Sequence, residues 1–218
     1  MPARSIEPAE HQSGVRSAPL AAATLLVALA FAPSAYTDTI SDNTKSWAEH
    51  GGSGGAQFSA LQQITPANVD QLELAWSHRS GELGQDFKDN SFSFQANPVV
   101  WDNTLYFSTA TGVAFALNAE TGEERWQYRA FLPKDANYSE SASRGLSLWH
   151  GKSEGCPHRV FLGTRTGELH SINAKTGEPC ADFGKNGVID LSADVGNEEI
   201  GEYGITSPPA ILGDSVVV

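Results

Sequence analysis

"ALNAETGEERW" (116–126) and "SINAKTGEPC" (171–180) decide the fold of this chain. Asn118, Ala119, Thr121, Gly122 and Glu123 return 55 positions later as Asn173, Ala174, Thr176, Gly177 and Glu178. In both copies Thr-Gly makes a tight turn after a run of apolar and β-branched residues.

Working outward from the first copy, "ANPVVWDNTLYFST" (96–109) and "VAFALNA" (113–119) have strand composition. Asp102-Asn103, Thr111-Gly112 and Thr121-Gly122 set three hairpin turns between four strands, which predicts one four-stranded antiparallel sheet. The second copy repeats the plan with "RVFLGT", Arg165-Thr166-Gly167, "ELHSINA" and Thr176-Gly177. A third unit opens at "SPPAILGDSVVV", and "LELAWSH" (72–78) reads as a further strand. No stretch after residue 56 carries sustained 3.6-residue periodicity, so helices are expected to be minor.

Four-stranded units recurring every 40–55 residues or so are the signature of a β-propeller, whose blades bury their sheet faces only by stacking on one another. The expected class is therefore all-β: the first blades of a propeller, about two plus the start of a third, over residues 56–218. Fewer blades than a closed ring needs, about four to eight, make the expectation an N-terminal fragment of a longer protein.

With 218 residues, 40 % hydrophobic and 18 % charged, the chain can build a packed core. Its 26 acidic and 14 basic side chains give a net charge of -12, and no basic cluster exists to neutralise phosphates, which excludes a nucleic-acid partner. Residues 1–35 have the anatomy of a secretory signal: Arg4 and Arg16, a charge-free stretch from Leu20 to Ala32, then small residues near Ala35. That stretch is shorter than the roughly 20 residues of a membrane span, and an uncleaved anchor through residues 20–32 stands as the alternative. Export to the periplasm follows from either. Residues 36–55, ending in "HGGSGG", read as an extended linker. In an oxidising compartment Cys156 and Cys180 are expected to form a disulfide, with two separate buried thiols as the other reading.

The form A-x-[ND]-A-x-T-G-x-x-x-W, met from Ala116 to Trp126, resembles the tryptophan-docking motif of the pyrroloquinoline quinone (PQQ) dehydrogenases. Trp126 would fill the space between blades, with Gly122 and Gly177 in the docking turns. In the second copy Cys180 precedes the position where Trp would stand, so docking is expected to be imperfect there, with the disulfide as a substitute staple. The resemblance runs over residues 47–218. "GGAQFSALQQITPANVDQLELAWSHRSGE", "SFQANPVVWDNTLYFSTATGVAFALNAETGEERW", "SRGLSLWHG" and "YGITSPPAIL" are similar, in order, to segments of the glucose- and quinate-type quinoproteins.

The resemblance implies a site at the ring axis. Arg144 in "SRGL" stands where the family has an arginine that supports the quinone oxygens as they become more negative. Gln95 in "FQANP" stands where family members commonly carry a glutamate, a departure that keeps hydrogen bonding and removes a carboxylate. Thr206 matches a threonine that bonds a PQQ carboxylate, and Ser207 beside it is a further candidate or a turn former. The methanol-type branch has adjacent cysteines before the arginine, and "ANYSESASRG" has none. A sugar, polyol or cyclic hydroxy acid is thus the implied substrate, with ubiquinone or a cytochrome as electron acceptor. The catalytic aspartate and the calcium ligands are expected beyond residue 218, so the chain alone is expected to be inactive. His150, His158 and His170 are read as structural, and Asp194–Glu202 as a solvated loop without calcium spacing. A cofactor-free propeller serving as an envelope scaffold is the competing reading, and Gln95 speaks for it.

Overall fold

The computed structural model describes residues 46–82, 92–140, 142–193, 195–196 and 199–218. The expected signal or anchor, with most of the linker, lies outside these residues. Twelve strands are described. They are β1 (Ser93–Phe94), β2 (Val99–Trp101), β3 (Thr104–Ser108), β4 (Val113–Asn118), β5 (Glu124–Arg129), β6 (Ala142–Ser143) and β7 (Ser147–His150), followed by β8 (His158–Gly163), β9 (Glu168–Asn173), β10 (Val188–Asp190), β11 (Ala210–Leu212) and β12 (Ser215–Val217). Helix among the described residues is limited to two three-residue 3-10 turns, Ser53–Gly55 and Val69–Gln71.

Strands β2 to β5 form the first four-stranded antiparallel sheet in sequence order, and β7 to β10 form the second. Strands β11 and β12 make the hairpin that begins a third. The architecture is thus the incomplete propeller expected from the repeat. Asp102 and Asn103 take positive φ, +48° and +53°, at the two-residue turn, the left-handed pair that matches the twist of the flanking strands.

Strand β4 shows why the blades stack. Val113, Phe115 and Leu117 point to one face and join Phe107 in an apolar cluster that Trp76 covers. Ala114 and Ala116 point to the other face, where their small side chains let the second sheet approach Tyr106 and Trp126. Both faces are therefore buried, and the strand reads as a continuous apolar run rather than an alternating one.

The repeated phrase forms one turn twice. Asn118 Oδ1 accepts the N–H groups of Glu120 (2.9 Å) and Thr121 (3.2 Å), and Asn173 Oδ1 accepts those of Lys175 and Thr176 at the same distances. Each turn receives a tryptophan from the preceding unit. Trp126 lies against Gly177 and donates its Nε1–H to Ala174 O at 3.0 Å; Trp76 lies against Gly122 and donates to Ala119 O at 3.2 Å. A Cβ at Gly177 would stand 2.9 Å from the Trp126 ring, and one at Gly122 2.5 Å from Trp76.

Two expectations change. The second copy's turn is fully docked, by Trp126; what the second blade lacks is a tryptophan of its own, since Ala181 stands where one would be. The disulfide Cys156–Cys180, with Cα atoms 5.8 Å apart, ties the β7–β8 loop to the segment after the turn. Leu72–His78 is not a strand: its backbone finds no ladder partner among the described residues, and Trp76 and His78 hold it through their side chains. The described part of the linker adds to the first sheet, where Trp47 makes a reciprocal bridge to Val100 at 2.8 Å.

Candidate functional site

Three short segments preceding the first strands of successive sheets, β2, β7 and β11, are laced side by side. Strand β1 pairs in parallel with β6, aligning Phe94 with Ser143. Beyond this pair, Asn97 N–H donates to Arg144 O at 3.1 Å, and Arg144 N–H donates to Thr206 O at 2.7 Å. The sequence enforces the extended backbone this needs. Asn97 precedes Pro98, and Ser207 precedes Pro208, so neither can turn helical.

Gly145 makes the close approach feasible. Its φ is +145°, which strains any side chain, and a Cβ there would meet Pro208 Cγ at 3.1 Å and Asn97 O at 3.3 Å, tighter than ordinary contact. Below this strip Ser108 and Ser143 share a buried hydroxyl hydrogen bond of 2.8 Å, and Ser147 donates to Pro209 O. These bonds satisfy polar groups at the junction of the units and fix the segments against one another.

Arg144 is the centre of the rim. One guanidinium N–H donates to Thr206 Oγ1 at 2.6 Å, and the other terminal nitrogen faces Glu140 at 3.5 Å. The pair with Glu140 is 38 % and 45 % exposed and contributes little stability; its effect is to aim the guanidinium. Gln95 is exposed and donates its amide to Ser93 Oγ at 3.0 Å, next to the β1–β6 pair. Ser207 is exposed beside Thr206. Gln95, Arg144, Thr206 and Ser207, 112 residues apart at the extremes, thus come to one edge. A fixed cation, a neutral amide and hydroxyl donors are the groups that oxygen-rich anions such as a tricarboxylate quinone need.

The histidines sit elsewhere. His170 is buried between the blades, where its ring bonds Tyr128 Oη at 2.9 Å and faces Glu168 at 3.3 Å. Burial holds its pKa below the ordinary imidazole value, and Glu168 works against that shift. His150 and His158 face each other at the far end of β7 and β8. No group of three or more metal-ligating side chains occurs among the described residues. Of Asp194–Glu202, residues 194, 197 and 198 lie outside the described residues; Glu199 and Glu202 are exposed.

Sequence reasoning missed Glu140 and Trp76. Each had a signal: Glu140 stands four residues before Arg144, and Trp76 precedes Trp126 by 50 residues, close to the blade period.

The family of PQQ glucose/ethanol/alcohol dehydrogenase β-propeller domains matches residues 47–218. The quinoprotein glucose dehydrogenase of Escherichia coli is 33 % identical over 172 residues, covering 75 % of this chain and 22 % of that protein. The quinate/shikimate dehydrogenase (quinone) of Acinetobacter baylyi is 30 % identical over 191 residues, covering 79 % and 23 %. The structure of quinohemoprotein alcohol dehydrogenase from Comamonas testosteroni superposes with a TM-score of 0.62 at 25 % identity, over 80 % of this chain and 23 % of that one. The chain therefore spans less than a quarter of the length of these relatives. With the propeller sheets, the docked tryptophans and the match over residues 47–218 all in agreement, this chain belongs to the PQQ-dependent dehydrogenase β-propeller family.

Proposed function

We propose that the chain is the amino-terminal portion of an exported PQQ-dependent dehydrogenase oxidising a sugar, polyol or cyclic hydroxy acid, with Gln95, Arg144, Thr206 and Ser207 on the cofactor rim. The observation that carries this reading is the lacing of Asn97, Arg144 and Thr206, which brings the residues to one edge with the guanidinium already oriented. The substrate class rests on the glucose and quinate relatives, and on the chain's two cysteines being engaged with each other. That disulfide also supports export. No helix among the described residues is long and apolar enough to cross a membrane.

PQQ, when bound, supplies an ortho-quinone able to accept a hydride from an alcohol carbon. Arg144 would hold quinone oxygens and, as a permanent cation, favour the more negative reduced form. Thr206 Oγ accepts from Arg144 and keeps its own hydrogen for a carboxylate. Gln95, being neutral, adds no repulsion toward a tricarboxylate. The aspartate base, the calcium ligands and the docking surface for ubiquinone or a cytochrome are proposed to come from other parts of a longer protein.

Equilibrium titration of the chain with PQQ tests the rim. Arg144→Ala is expected to weaken binding at least about tenfold, and Arg144→Lys to restore it in part, because lysine keeps the charge and loses the fork. Equal binding by wild type and Arg144→Ala refutes the assignment. Gln95 favours a cofactor-free scaffold as the second reading, and equilibrium titration showing no PQQ binding by the wild type would favour it over the rim.

A further inference from the structure

His150 closes β7 and His158 opens β8, and the two are direct cross-strand partners. Their Nδ1 atoms are 3.2 Å apart. Two nitrogens bound to one ion at about 2.0–2.1 Å stand roughly 2.9 Å apart at a 90° angle and roughly 3.3 Å apart at a tetrahedral one, so a small ring movement spans the bite of either chelate. Trp101 from the first sheet forms the wall behind them, its ring 4.4 Å from His150 and 4.8 Å from His158, tilted 35° and 40°. The opposite side is open, since His150 is exposed and His158 is half-buried. We propose that His150 and His158 form a two-imidazole site for a divalent transition-metal ion, Cu(II) before Zn(II) or Ni(II), with water filling the remaining positions.

Imidazole nitrogen suits these ions, and Cu(II) heads the affinity order. Without metal, the 3.2 Å contact is met by a proton on one Nδ1 pointing at the lone pair of the other. Metal binding needs both lone pairs, so that ring shifts to the Nε2–H tautomer with no net proton change. Of the charges facing the pair, Asp102 favours a cation and Lys175 opposes one. The site lies at the opposite end of β7 from Arg144, which precedes that strand, and is separate from the proposed cofactor rim.

Titrating the full chain with copper(II) chloride tests this by two readouts. Electron paramagnetic resonance of the wild type is expected to show two imidazole nitrogens on copper, and Trp101 makes tryptophan fluorescence fall on binding. His150→Gln and His158→Gln are each expected to weaken the quenching at least about tenfold. His50→Gln, at an exposed histidine outside the sheets, is expected to change nothing. A spectrum with one nitrogen or none overturns the site whether or not the variants fold. So does quenching that survives either substitution.

Discussion

The two blades carry the same turn yet are closed by different means. In the first, the chain leaves Gly122 directly into the six-residue β5 and sends Trp126 forward to the next blade. In the second, Pro179 and Cys180 follow Gly177, the fourth strand shrinks to Val188–Asp190, and a disulfide to Cys156 takes over. Around that disulfide Arg159 donates to Cys156 O at 3.0 Å and to Ser153 Oγ at 3.0 Å, and pairs with Asp182. Trp126 is thus presented by a six-residue strand, whereas the disulfide accompanies a short and irregular fourth strand that sends no ring forward.

Removing the tryptophans tests this difference most severely. Trp126→Ala deletes a ring 8 % exposed, together with its bond to Ala174, and is expected to cost about 3–5 kcal/mol in denaturant unfolding. Trp76→Ala removes the equivalent bond from a half-buried ring and is expected to cost less, about 2 kcal/mol. Equal costs would mean that docking does not depend on the strand that presents the ring.

The staple comes next. Cys156 and Cys180 are 24 positions apart, a loop whose closure is worth about 3 kcal/mol on the chain-entropy account. Reduction, or serine at both positions, is expected to raise amide exchange in β8 to β10 and leave β3 to β5 near their original protection. Uniform loss in both sheets would show that the staple holds the whole chain rather than its own blade.

A smaller effect belongs to the glycine under the ring. Gly177→Ala forces a side chain into φ +76° and against Trp126, for an expected cost of about 2 kcal/mol. In a Trp126→Ala background the contact is gone, and the expected cost drops to the conformational share, about 1 kcal/mol. An unchanged cost in that background would assign the penalty to backbone conformation alone.

The sequence carried the blades plainly because their turns are local chemistry: Asp102-Asn103, Thr111-Gly112 and the twice-printed Asn-Ala-x-Thr-Gly each set a hairpin by residue type. It carried the rim less well. Arg144 and Thr206 were legible only through likeness to a family, since the bonds joining them span 62 positions and leave no periodic trace. Leu72–His78 has strand composition, yet composition cannot supply a ladder partner, and its role here is set by Trp76 on Gly122. The 3.2 Å approach of His150 and His158 depends on β7–β8 register, which no spacing of two histidines eight apart defines.

Acid sharpens the same comparison with the smallest effect. Val99–Arg129, the first sheet, contains no histidine, whereas the second contains His150, His158 and His170. All three are held below the ordinary value of 6.5, mainly by burial, and His150 falls to about 4. An imidazole with a folded pKa below its unfolded one binds protons more readily in the unfolded chain, so its contribution is complete above pH 6.5 and is lost as pH falls toward the folded value. Asp182 and Asp190 are held below 3.8 and act in a lower window, while Glu82, raised by burial beside Thr109 and Thr111 of the first sheet, favours the folded chain as pH falls, so the loss between 6.5 and about 4 belongs to the histidines. His150 keeps much of its surface in water, so the loss is modest. Amide exchange at pH 7 and pH 5 is expected to show β7 to β9 loosening while β3 and β4 hold. His170→Gln should remove part of that response, because the ring it replaces is the buried one, bonded to Tyr128 across the blade junction. Parallel loosening of both sheets would place the acid-sensitive group outside the second blade.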